Sequence, residues 1–148
     1  MKNLLNATDR QALEGRLKNL HPNSRRNWGK LSIHELFPHL TEPLRTAIGE
    51  RQVPPVKSIF YNTLVGKGIV WLLPWPKGAP TAPEFLPGTG LTASTQFEND
   101  RRLFFETLEK FAEKDRFEAS PVFGKLSKAA WGRLMWRHID HHLRQFSA

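Results

Sequence analysis

The sequence predicts an all-α protein, a four-helix bundle with a long proline- and tryptophan-containing insert between its second and third helices. Three observations lead there. Four segments repeat apolar residues at helical spacing, and each opens on residues suited to a helix start. No segment reads as a run of paired strands. The stretch 50–92 collects most of the prolines and breaks the helical pattern between segments two and three.

The first helix is expected to open at Thr8-Asp9-Arg10-Gln11, which fits a capping box, and to place Leu13, Leu17 and Leu20 on one face before His21-Pro22-Asn23 ends it. The second opens at Ser32-Ile33-His34-Glu35, a stronger capping box, with Leu31 and Leu36 spaced for a hydrophobic staple. Gly49 is its expected stop. Pro38 and Pro43 fall inside this helix and leave the carbonyls of His34 and His39 without their usual partners, so a kink is expected near His39. The insert then allows an extra helix over 58–73, followed by a loop in which Trp71, Trp75 and Phe85 pack over the bundle as a lid. The third helix starts near Thr95-Gln96-Phe97-Glu98 and carries Phe97, Phe104, Leu108 and Phe111. The fourth runs from about Ser127 to Phe146 with an inward stripe of Trp131, Leu134/Met135, His138, His142 and Gln145, weakened slightly by Gly132. The predicted core is Leu13, Leu17, Leu36, Leu40, Phe104, Leu108, Leu134 and Met135.

A chain of 148 residues is read as one domain, 1–148. It has no cysteine, which excludes a disulfide framework, thiolate ligands and a cysteine nucleophile. Met1 to Arg10 has no apolar h-region, and the apolar stretch 69–75 is interrupted by Pro74 and too short for a bilayer. A cytoplasmic protein with no membrane partner is therefore expected. The formal charge is +8, but the basic residues are scattered, as on a solvated surface, and nucleic acid is not the expected partner.

The chemistry concentrates in Arg137-His138-Ile139-Asp140-His141-His142-Leu143. Residues four apart share a helix face, so His138 and His142 point the same way, toward the side of Trp131, Leu134 and Met135. Buried imidazoles need partners for their nitrogens, and a metal ion supplies them. His39 on the second helix is the candidate third ligand, because bundles build metal sites from facing helices. His141 is expected beside the pair rather than among the ligands, His34 off the inward face, His21 in a turn and Asp140 on the surface. The competing reading is that inward histidines are hydrogen-bonded core residues. Gly66-Lys67-Gly68 is too short for a phosphate loop, no Gly-x-Ser-x-Gly elbow occurs, and inward carboxylates are few, which argues against a carboxylate-bridged dimetal site.

His138-x-x-His141-His142-x-x-Gln145 resembles the last-helix signature of the DinB/YfiT-like four-helix bundle superfamily. That resemblance implies a metal held by His138, His142 and His39. Trp28-Gly29-Lys30, Pro80-Thr81-Ala82-Pro83-Glu84, Phe123-Gly124-Lys125-Leu126 and the block from Trp131 to Phe146 are most similar to one branch, domain-of-unknown-function family 1569. The chain departs from the expected pattern at Pro38, where a small helix-former is expected before His39. Relatives in the superfamily include thiol-dependent S-transferases and an isomerase.

The expected function is thus a metal-dependent enzyme using zinc, nickel or iron at His39, His138 and His142. His141 is the candidate catalytic proton carrier. A small-molecule substrate is expected, and the resemblance implies a low-molecular-weight thiol as co-substrate. The alternative is a non-catalytic basic helical module that binds an acidic partner or nucleic acid. Exposed aromatics in the insert are compatible with a homodimer.

Overall fold

A computed structural model describes residues 1–56, Trp71, Trp75, Lys77 and 96–148. These residues form four helices, α1 (Ala7–Lys18), α2 (Ile33–Ile48), α3 (Phe97–Glu113) and α4 (Lys128–Gln145). No strand occurs among the described residues, and a lone bridge between Ser120 and Gly124 closes the turn before α4. The all-α, four-helix expectation holds. The extra helix expected over 58–73 and the packing of Phe85 lie outside the described residues, apart from Trp71. No helix among the described residues is long and apolar enough to cross a membrane.

The ends of the helices follow from local chemistry. Asn6, not the Thr8 box, caps α1: its side chain accepts from Asp9 N at 3.1 Å, and Thr8 lies in the first turn. A helix starting two residues earlier than expected still places Leu13 and Leu17 inward, and Leu20 is buried just beyond its end. Ser32 and Glu35 form the expected capping box on α2, satisfying two end donors of the helix. Gly49 closes α2 in the left-handed region at φ +84°, where a side chain is disfavoured. Between these ends α2 runs unbroken through Pro38 and Pro43. Ser127 caps α4 by accepting from Ala130 N.

α2 lies against both α3 and α4, while α1 packs on α4. The eight predicted core residues are all buried, together with Phe37, Phe111, Ile139 and Leu143. Burying such side chains contributes roughly 1.5–3 kcal/mol each, so α2 and α4 are anchored on both sides. Two further features pin α4. The segment before α1 crosses Gly132, with Leu4 N donating to the Gly132 carbonyl at 3.0 Å. A Cβ at Gly132 would sit 1.9 Å from Asn3 Oδ1, so this glycine permits a close crossing rather than merely weakening the helix. Asp140, expected on the surface, is partly exposed and pairs with Arg16 of α1 at 2.7 Å and Arg144 at 3.1 Å.

Candidate metal centre

His39 sits on the buried face of α2, and His138 and His142 lie one turn apart on α4. Because α2 packs on α4, the three rings meet between the helices. His39 Nε2 is 3.0 Å from His142 Nε2 and 3.1 Å from His138 Nε2. One nitrogen from each ring falls within 4.8 Å of the other two, a grouping that could hold a metal ion. The rings meet edge to face, with centroids 4.6 to 5.0 Å apart. His39 is 5% exposed and His142 9%.

This environment favours the neutral form of His138 and His142. Burial holds His138 well below its ordinary value, reinforced by His142, His39 and His141. Burial and then His39 push His142 down to about 3. Each neutral ring has one nitrogen lone pair to offer. At a metal–nitrogen distance of about 2.0–2.1 Å, two imidazole nitrogens on one tetrahedral ion stand about 3.3 Å apart. The two short separations lie a few tenths of an ångström inside that value, and the three nitrogens could hold a metal ion.

His141 lies beside this group and not within it. It is 6% exposed, more deeply placed than a rim residue. Its ring meets Trp28 edge-on at 4.9 Å, Trp75 at 5.6 Å and His142 at 5.1 Å. Burial, then His142 and Arg144, push it down to about 4, against an opposing pull from Asp140. Trp75 of the insert also lies 6.0 Å from the His138 ring. His34 is exposed, with its ring edge toward Phe97, and His21 is exposed in the turn after α1. Neither joins the cluster.

One arrangement escaped the sequence reading. His142 Nδ1 lies 3.0 Å from Gln145 Oε1, and Gln145 Nε2 donates to the Trp28 carbonyl at 2.8 Å. The spacing of His142 and Gln145, three apart on a helix, was the available signal; the Trp28 carbonyl, 117 residues away, was not. Two buried carboxylates were also missed. Glu42 pairs with Arg51 and, at 3.7 Å, with Arg45, while Asp100 is buried on α3. Neither is part of the three-histidine group.

Fold and site together define an all-helical protein in which α2 and α4 bring together three imidazoles, those of His39 and His142 buried and that of His138 partly buried. The chain belongs to the family described as "Protein of unknown function (DUF1569)", whose profile matches residues 2–148. No curated protein and no solved structure matches the chain.

Proposed function

We propose that this protein is a metal-dependent enzyme that holds a divalent zinc, nickel or iron ion through His39, His138 and His142. The observation that carries this reading is the convergence of three Nε2 atoms between α2 and α4 at contacts of 3.0 and 3.1 Å. Hydrogen-bonded core histidines normally face carbonyls, carboxylates or water; here each of these short contacts sets one imidazole nitrogen against another. Three protein ligands are the pattern of catalytic rather than closed structural sites.

His39 and the α4 pair hold the ion, and the packing of α2 on α4 sets their spacing. A divalent ion at this position supplies a Lewis acid and raises the acidity of a thiol or other ionisable group. Trp75 and Trp28 flank His141 and shield that side of the site from water. At about 4, His141 is neutral at pH 7 and a weak base. It therefore accepts a proton only from a group whose acidity has been raised at the site. The transfer of a low-molecular-weight thiol to a small electrophile is the reaction to test first. That choice rests on the resemblance of the His138-to-Gln145 block to the DinB/YfiT-like superfamily.

The test is elemental analysis of untagged protein, followed by calorimetric titration of zinc and nickel into the stripped form. Stoichiometric binding is expected in the parent, in His141→Ala and in His34→Ala. It is expected to be lost in His138→Ala and His142→Ala and strongly weakened in His39→Ala. Parent-like binding by the folded double variant of His138 and His142 refutes the proposal.

A further inference from the structure

We infer that Gln145 is a positioning residue: anchored by the Trp28 carbonyl, it sets which nitrogen of His142 faces the cluster. The inference rests on the metal reading for its purpose but not for its geometry. A backbone carbonyl can only accept a hydrogen bond, so the Gln145 group that meets Trp28 O at 2.8 Å is its NH2. The carbonyl end of the same amide, Oε1, must then face His142 Nδ1, 3.0 Å away. Oε1 is also only an acceptor, so Nδ1 carries the proton and Nε2 the lone pair. Nε2 is the atom in contact with His39. A carbonyl on the loop before α2 thus determines, through one amide, the tautomer of a histidine on α4.

The loop is shaped for this. Asn27 N donates to the Gln145 carbonyl at 2.8 Å, so the same segment holds both the main chain and the side chain of Gln145. Gly29 follows at φ +77°, and a Cβ there would stand 2.5 Å from Gln145 Nε2. A side chain at position 29 displaces the amide from its seat. The ring of Trp28 meets His141, so the loop also braces the neighbouring imidazole. Partners that fix the orientation and tautomer of a ligand histidine are commonly worth 10- to 100-fold in metal affinity.

The test reads the tautomer directly. Long-range proton–nitrogen NMR correlations on stripped, 15N-labelled protein above pH 7 should show His142 protonated at Nδ1. Gln145→Leu, which removes the acceptor, should move the ring toward the Nε2-protonated form and weaken zinc binding about 10- to 100-fold. Gln145→Glu, which keeps an acceptor oxygen beside Nδ1, should retain the parent tautomer and bind more tightly than Gln145→Leu. A parent His142 protonated at Nε2 overturns the inference, as does an unchanged tautomer in folded Gln145→Leu. Should Gln145→Leu not fold, the parent and Gln145→Glu tautomers decide alone. A parent protein that binds no metal refutes the proposed function while the tautomer result still stands for or against Gln145.

Discussion

Acid should destabilise the metal-free protein well before its carboxylates titrate, because the buried imidazoles resist protonation. In the unfolded chain a histidine takes up a proton near pH 6.5. In the fold, His141 and His142 do so only at about 4 and about 3, and His138 is also held well below its ordinary value. Their contribution to stability is therefore complete above pH 6.5. It is lost as pH falls below 6.5, and the loss ends only when the folded values are reached. Between pH 7.5 and 5.5 His141 and His142 each remove on the order of 1 kcal/mol, and His138 acts in the same direction. Together these losses are a sizeable part of the roughly 5–15 kcal/mol that stabilises a typical domain. The carboxyls of Asp9 and Glu35, held below their ordinary values of 3.8 and 4.5, act in the same sense but only at lower pH, outside this window. Urea unfolding followed by circular dichroism in the presence of a chelator should show the midpoint falling by about 1 M from pH 7.5 to 5.5. A His142→Leu variant should lose a smaller increment, with one proton fewer taken up on unfolding. An unchanged midpoint, or imidazole resonances of these residues titrating near pH 6.5, refutes the reasoning. The same depression moves acid release of a bound metal below the pH of about 6 that a free imidazole implies.

Two further predictions address the surroundings of the site. Gly132→Ala should destabilise the protein by about 1–3 kcal/mol in urea unfolding, because the new methyl group displaces Asn3 and the Leu4–Gly132 hydrogen bond; parent-like stability would show that the segment before α1 does not bind α4 closely. Metal added to stripped protein should change the tryptophan emission, and Trp75→Phe should remove most of that change, since Trp75 lies 6.0 Å from His138 and 5.6 Å from His141. An equal response in the variant assigns the signal to another tryptophan and removes Trp75 from the wall of the site.

Helix periodicity made most of the fold legible. Apolar residues every third or fourth position mark the buried stripes of all four helices, and the expected core is buried throughout. Ser32 with Glu35, Gly49 and Ser127 marked three ends because capping is a local exchange between a side chain and neighbouring backbone groups. The start of α1 was misplaced because Thr8 and Asn6 both suit a cap, and the approach of the amino-terminal segment to α4 favours the earlier one.

The sequence by itself determined that His138 and His142 share a face, since four residues is close to one helical turn. Only the tertiary structure decided that His39 meets them. That depends on the depth at which α2 packs against α4, a quantity spread over many side chains. The same long-range packing turned Asp140 into the link between α1 and α4, and it placed the Trp28 carbonyl on Gln145. Spacing along a helix is written in the covalent chain; contacts separated by a hundred residues exist only once the core has closed.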